Sequence, residues 1–488
     1  MLKKLFVLIL ISSVFLTCRK EVDSISTDSS VKLYFSDLVV HFDTIFTTVG
    51  STTHSLRVYN PSNQAVNISS IKITGDQQAF FRMNVDGRPG STVTNVFLPG
   101  KDSLYIFIDV TIDPSAPNLP FLIEGHIEFV TNGNVQEVLL LAYGQNAHFI
   151  VPDKFTKGLP PFRRINNGHD TTWTKDLPIV IYDYAVVDSN QRLTIEAGTQ
   201  IYFHANSGLW VYRYGDLKVN GTIDEPVVFQ GDRLDEYKDI SGSWDRIWIN
   251  DGNDPINFNY AIIKNAFIGI QAEYNPFIGF KQENSPNRLT LNNTKIENSK
   301  FVGLYATNFR IQGNNLLVSD AGESNLFVAG GGEYDFNNCT FANYYRDDPR
   351  SSPAVFLTHL YQDFEINKYR EDSMRVGFVN CVIYGDKESE FNIEEEVEPG
   401  KKINFTMQNT LVKTNMDVTQ HGKYRETIFH TETSDIFVSP YSGDFHLLPV
   451  SDAINAGYAG DTLNNFTQKD LDEKVRNAGD DLGAYVYE

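Results

Sequence analysis

Three stretches of the 488-residue chain concentrate residues able to do chemistry. The first is Asp232-Arg233-Leu234-Asp235-Glu236-Tyr237-Lys238-Asp239, followed by Trp244-Asp245-Arg246. Asp235, Asp239 and Asp245 could hold a Ca2+ ion, because hard cations take carboxylate oxygens. Arg246 beside them could act as base on an acidic sugar, the arrangement a polysaccharide lyase needs. A glycoside hydrolase needs two facing carboxyls instead. The mixed signs suit a salt-bridge network equally well. The second stretch is aromatic and charged: Tyr274, Phe277 and Phe280, then Tyr344, Tyr345, Arg346, Asp347 and Asp348, then His359, Tyr361, Asp363, Tyr369 and Arg370. Rings stack on sugar faces while Asp and Arg hydrogen-bond hydroxyls, so these are candidate ligand contacts. The same rings could instead pin loops onto the fold. The third, Glu394, Glu395, Glu396 and Glu398, reads as a solvated loop. His41, His54 and His126 are scattered without metal-ligand spacing.

What positions these residues is a repeat. Six segments share one frame, from Phe258-Asn-Tyr-Ala-Ile-Ile263 to Met407-Gln-Asn-Thr-Leu-Val412. Its third position holds Tyr260, Asn293, Asn315, Asn338, Asn380 and Asn409, at intervals of 33, 22, 23, 42 and 29 residues. The shortest intervals match one coil of a parallel β-helix. The fourth and sixth positions are small or apolar and should point inward, each coil burying its neighbour's face. Asn tolerates the left-handed conformation, which places Asn293, Asn315, Asn338, Asn380 and Asn409 at a turn, where their amides should form a ladder. A second polar turn follows at Asn265, Asn298, Asp320 and Asn343. The outward second and fifth positions hold no carboxylate, which argues against catalysis on these strands. Residues beyond a 22-residue coil are expected to leave at one corner, between the third strand of one coil and the first of the next. That would gather the candidate contacts on one side. Cys339 and Cys381 share a repeat position. Adjacent coils would bring them to about 4.8 Å, within disulfide range, though buried thiols are the expected state.

Residues 33–148 alternate apolar and polar residues over short runs, as in Leu104-Tyr-Ile-Phe-Ile-Asp-Val110. Asn132-Gly133 between two such runs is a hairpin signal. Roughly six or seven strands in this length suggest an Ig-like β-sandwich.

Several motifs carry family resemblances. Leu193-Thr-Ile-Glu-Ala-Gly198 with Gly215-Asp-Leu-Lys-Val-Asn-Gly221 and Pro226-Val-Val-Phe-Gln-Gly231 resembles the opening coils of right-handed parallel β-helices of the pectate-lyase-like superfamily. Asp444-Phe-His-Leu-Leu-Pro449, Asp452-Ala-Ile-Asn-Ala-Gly457 and Asp481-Leu-Gly-Ala-Tyr485 resemble their final coil and end-piece, with Asp470, Arg476 and Asp481 tying it down. That resemblance covers about residues 178–488 and implies a fold; lyases and hydrolases occur among related folds. Arg57-Val-Tyr-Asn-Pro61 and Leu98-Pro-Gly-Lys-Asp-Ser103 resemble Ig-like modules of the ASH/MSP group, which serve as spacers or protein-binding platforms. At the amino terminus, Lys3 and Lys4 precede a 12-residue apolar run, Leu5 to Leu16. Phe15-Leu16-Thr17-Cys18 then resembles a relaxed lipobox of Bacteroidota, which implies lipidation of Cys18. Arg19-Lys20-Glu21-Val22-Asp23 is similar to the surface-export signal of those bacteria, and motifs such as Asp43-Thr44-Ile45 resemble their O-glycosylation signal.

The expected organisation is a lipoprotein signal peptide at 1–17, a flexible tether at 18–32, the sandwich at 33–148, a linker at 149–177 and the β-helix with end-piece at 178–488. The fold class is all-β: an N-terminal Ig-like β-sandwich followed by a right-handed parallel β-helix. The net charge of −21, or −23 once Lys3 and Lys4 are removed, disfavours nucleic acid and anionic membrane surfaces. Membrane contact is therefore expected through the lipid anchor only. Three Cys exclude a disulfide-stapled scaffold. The functional expectation is a non-catalytic outer-membrane lipoprotein, exposed on the cell surface, whose β-helix binds a polysaccharide or a surface protein. The alternative is a polysaccharide lyase or glycoside hydrolase. No cofactor is expected, with Ca2+ the one candidate.

Overall fold

The computed structural model describes residues 24–487, apart from 47–49, 113–120, 235–236, 251, 253–254, 276–287, 364–366, 395–402, 420–421, 432–433, 459–466 and 478. Cys18, Asp235, Phe277, Phe280, Glu395, Glu396 and Glu398 lie outside the described residues, as does the Asp363 side chain. Two compact units divide the chain, Met1–Asn146 and Ala147–Glu488.

The first unit is all-β with two five-stranded sheets. One sheet joins Tyr34–Phe35, His54–Tyr59, Ser103–Val110, Phe81–Val85 and Arg88–Pro89; the other joins Val39–Phe46, Asn134–Gln145, Phe121–Thr131, Val66–Thr74 and Thr92–Leu98. Pairing is antiparallel except between Val39–Phe46 and Asn134–Gln145. The period-2 pattern sends Leu56, Ile106, Ile127 and Leu140 into the core, each with no exposed surface. Asn132 and Gly133 both take positive φ (51° and 79°), as a tight hairpin turn requires.

The second unit is a parallel β-solenoid whose coils each pass through three stacks of strands. The third stack forms an 11-stranded parallel sheet, from His148–Ile150 to Ile428–His430. The first and second stacks share a 17-stranded sheet, because Val302–Asn314 and Ser324–Asn337 run through both. These long strands bend where Asn308 (φ 51°) and Gly330 (φ 72°) enter the left-handed region. In the third stack Ile296, Val318, Phe341, Ile383 and Val412 follow one another in register with no exposed surface. They form the inward column expected from the sixth repeat position. Cys339 and Cys381 are neighbouring buried thiols, and burial pushes the Cys339 thiol up. Each S–H donates to a main-chain carbonyl, Cys339 to Asn337 at 3.3 Å and Cys381 to Phe336 at 3.4 Å.

Three expectations are corrected. Residues 149–177 are not a linker. His148–Ile150, Phe162–Arg164 and Thr171–Trp173 pair in parallel with strands of the next coil. Isolated short strands with little apolar periodicity hid this first coil. The amide ladder also runs through a different column. Tyr260, Asn293, Asn315, Asn338, Asn380 and Asn409 do hold the left-handed corner, with φ between 46° and 54°. Among these amides, however, only Asn315 to Asn293 is linked, at 2.7 Å. The continuous ladder is one residue earlier: Asn292 donates to Asn259 and Asn314 to Asn292, each at 2.9 Å, and Asn337 to Asn314 at 3.3 Å. A residue at the end of a strand still shares the strand spacing of its neighbours, whereas the turn residue has begun to rotate away. Finally, insertions leave at two corners, not one. Residues 274–275 and 359–363 follow first-stack strands and precede the second stack, whereas residues 237–243 and 344–354 lie between the third stack and the next coil's first.

The end-piece folds back over the outer face of the third stack. Leu317, Val382, Tyr384 and Leu411 pack there against Ile436, Phe437, Phe445, Leu471, Leu482 and Tyr485. This explains the apolar residues at the outward fifth position: the tail covers them. Ala484 N donates to Thr340 Oγ1 at 2.9 Å and Gly483 N to the Asn380 carbonyl at 2.8 Å. Asp470 accepts main-chain N–H bonds from Asp472, Lys474 and Val486, and Asp481 accepts from Asn455 and Tyr487.

Candidate functional site

The corner between the third stack and the next coil's first carries a groove of about 590 Å³. Its floor is the polar turn expected from the sequence, at Asn265, Asn298 and Asp320, whose φ values are 64°, 53° and 53°. Lys264 and Glu297, neighbours in register, stand beside it. One wall is the 344–347 segment and the other is Pro440–Gly443 of the end-piece. The groove thus unites the expected residues Asp239, Tyr344, Tyr345, Arg346 and Asp347.

Its geometry is set by a few contacts. Ser241 Oγ lies 2.8 Å from Tyr345 Oη and donates to Asp347 Oδ2 at 2.7 Å, joining the two insertions of this corner. The Arg346 guanidinium sits 3.5 Å from the centroid of the Tyr441 ring. Tyr344 packs edge-on to Tyr441 at 5.2 Å. Tyr344 and Tyr345 are themselves buried, so their rings brace the wall, while Tyr441 is half exposed. Lys300 pairs with Asp348 just outside the groove.

Two carboxyls in the groove depart from ordinary acidity. Burial pushes Asp320 up to about 7; the Glu297 and Asp386 charges add to this, and the Tyr344 N–H donated at 3.0 Å opposes it. Burial also raises Glu297, against the pull of Lys295 and Lys264. A carboxyl raised on folding contributes stability that is fully present below its unfolded pKa and is lost as pH rises towards the folded one. Stability should therefore decline between about pH 4 and 7 through Asp320. Asp320→Asn keeps the left-handed turn and the acceptor, so it should flatten this decline and stabilise the protein at pH 8. Urea unfolding at several pH values checks it; an unchanged slope would refute the assignment.

The remaining candidates lie elsewhere. Asp245 and Arg246 are on the outer face of the first stack, in a closed network. Tyr184 donates to Asp245, Arg246 donates to Asp245 at 2.8 Å and to Gln271, and Gln271 and Trp248 both donate to Glu273. Asp239 is in the groove, so Asp239 and Asp245 do not converge on one cation. No group of three His, Cys, Asp or Glu able to share a metal occurs among the described residues. Tyr274 and the hairpin Leu360–Asp363/Lys368–Glu371, which holds Tyr361, belong to the other corner. Tyr361 is buried.

Lys264, Glu297, Asp320 and Tyr441 escaped the sequence reading as site residues. Asp320 had a signal, being the one acid in a column of Asn. Tyr441 had none, because the end-piece brings it from a distant part of the chain. An outer aromatic row was also missed. Trp210 stacks on Trp248 at 4.6 Å, Tyr305 on Phe327 at 5.1 Å and Phe327 on Phe356 at 5.4 Å. Its signal is an aromatic flanked by aliphatics, as in Leu209-Trp-Val211 and Ile247-Trp-Ile249. These rings cover each other's faces, so they brace the wall and offer little surface for a sugar to stack on.

No family model matches the sequence, and no curated protein matches it. Similar solved structures include the ASH/PapD-like domain 7 of human CEP192, at 8% identity, covering 27% of this chain and 94% of that one, with a TM-score of 0.17. The Salmonella enterica SafA pilin–SafB chaperone complex is 12% identical over 24% of this chain and 55% of that one, with a TM-score of 0.17. A Porphyromonas gingivalis W83 protein of unknown function is 11% identical over 28% and 58%, with a TM-score of 0.16. This chain spans about a third of the Vibrio cholerae VesB protease and about half of the SafB complex chain that it resembles. Likenesses at these TM-scores carry no argument about function.

Proposed function

We propose that the protein is a non-catalytic glycan-binding surface lipoprotein whose ligand lies in the corner groove. The observation that carries this is the convergence in one concavity of the Tyr441 ring, the Arg346 guanidinium and the Glu297 and Lys264 side chains. Such sites join a stacking surface to a few convergent polar groups. The parallel solenoid supports membership of the right-handed, pectate-lyase-like β-helix superfamily, and the first unit supports an ASH/MSP-like module serving as spacer. The lipobox motif at Cys18 supports anchoring in the outer membrane with exposure at the cell surface.

A glycan array should identify ligands, and Tyr441→Ala or Arg346→Ala should weaken their binding at least tenfold. Silence on the array, or capture unaffected by both substitutions, would sink the reading. Palmitate labelling that disappears in Cys18→Ser tests the anchor. The enzymatic alternative now rests on Asp320, protonated near neutrality, and Glu297 in one groove. New reducing ends released from a bound polysaccharide, and abolished in Asp320→Asn, would favour it.

A further inference from the structure

The first unit carries a separate surface. Strand alternation points Leu56, Val58, Leu104 and Ile106 into the sandwich and turns Arg57, Tyr59, Tyr105 and Phe107 outward. An outer sheet face is ordinarily polar, yet Tyr34, Tyr105 and Phe107 here are 64%, 43% and 45% exposed. Between the rings lies one cation. The Arg57 guanidinium is 5.0 Å from the Tyr59 ring centroid and 5.1 Å from that of Tyr105, and its Nε donates to Ser103 Oγ at 3.0 Å. The face's other outward cation, Arg82, is taken by Asp109 at 3.3 Å. Among the described residues the terminal nitrogens of Arg57 have no partner. A guanidinium clamped between two rings keeps its fork orientated and its edge free, which suits a carboxylate taken bidentately.

We propose that this face binds an oligosaccharide ending in a carboxylate-bearing sugar. The carboxylate meets the edge of Arg57, and the C–H face of the sugar lies on Tyr105 and Phe107. Arg57 and Tyr105 stand on strands inside the sheet, and the edge strand beside them, Tyr34–Phe35, is only two residues long, a short template for strand addition by a protein partner. A single cation matches a single carboxylate, while the net charge of −21 works against polyanions.

The test compares 3′-sialyllactose, its methyl ester and lactose by calorimetric titration of the full chain. Sialyllactose should bind at least tenfold more tightly than lactose, and the ester should fall to the lactose level. Arg57→Gln and Arg57→Lys should both lose the preference without changing the melting temperature, whereas Tyr441→Ala in the groove should retain it. Equal affinity for the two sugars, no binding of either, a preference that survives Arg57→Gln, or one lost in Tyr441→Ala would each overturn the proposal. The ester comparison uses the unaltered protein and decides the matter even if the variants fold poorly.

Discussion

Arg350→Met should destabilise the solenoid by about 3–5 kcal/mol, the cost of leaving a buried charge without its partner. The Glu390 side chain has no exposed surface and that of Arg350 is 3% exposed. Arg350 Nη1 and Nη2 meet the two Glu390 oxygens at 2.7 and 2.6 Å. Glu390 also accepts N–H bonds from Ala354 and Lys387, each at 2.8 Å, and Nη2 reaches the Asn343 carbonyl at 3.1 Å. The pair thus binds the 344–354 insertion to the following coil and holds the groove wall from behind. Removing the cation alone leaves Glu390 in a site built for an anion. Arg350→Met combined with Glu390→Gln should recover part of the loss, because no fully buried charge is left uncompensated; Asp386, which also pairs with Arg350, is part exposed. Urea unfolding of both variants measures this; a loss below about 1 kcal/mol in the single variant would place the pair among weak surface bridges.

Arg476→Met should release the end-piece. Arg476 is buried at 4% exposure and donates to the carbonyls of Gly483 (2.8 Å) and Asp481 (3.3 Å) and to Asn315 Oδ1 (3.2 Å). Burial lowers its pKa to about 10, with Asp470, Asp481 and Asp480 opposing the shift, so the residue remains charged at neutral pH. Losing it deprives the tail of its bond to the Asn315 corner and leaves those acids uncompensated, at a cost of about 3–5 kcal/mol. Because Pro440–Gly443 form a wall of the groove, the variant should lose the ligand binding proposed for the groove together with tail docking. Limited proteolysis should cut within 436–487 much faster than in the unaltered protein. A tail that stays protected while binding persists would contradict the arrangement.

How much of this was legible depends on the residue. Asn315 and Asn380 announced the corner between the second and third stacks, because a left-handed turn repeats the same chemical demand in each coil. Val318 and Ile383 announced the inward column for the same reason. The first stack went unread. Its strands follow insertions of variable length, so Trp248, Tyr305 and Phe356 recur at no fixed interval. Half of the groove was legible through Tyr344 to Asp347, whose mixture of rings and charges within one insertion was visible. The other half depends on a tail that returns across the sheet: its motifs announced an end-piece, but where it docks was traced only by the apolar outward column of Leu317, Val382 and Leu411. That column looked inert; it is an adhesive surface.

The returning tail also changes how the molecule must be made. A solenoid in which each coil touches only its neighbours can fold from one end as it is synthesised. Here Tyr260 bonds Glu473, 213 residues later, and the Lys295 ammonium lies over the Tyr485 ring at 5.5 Å. The strip of Leu317, Val382 and Leu411 therefore stays bare until residues 436–487 emerge, and loop-closure entropy makes such distant pairing slow. Through that interval the middle coils expose a sticky stripe. Folding of this chain should accordingly depend on a holding chaperone for longer than folding of a solenoid whose last coil simply stops.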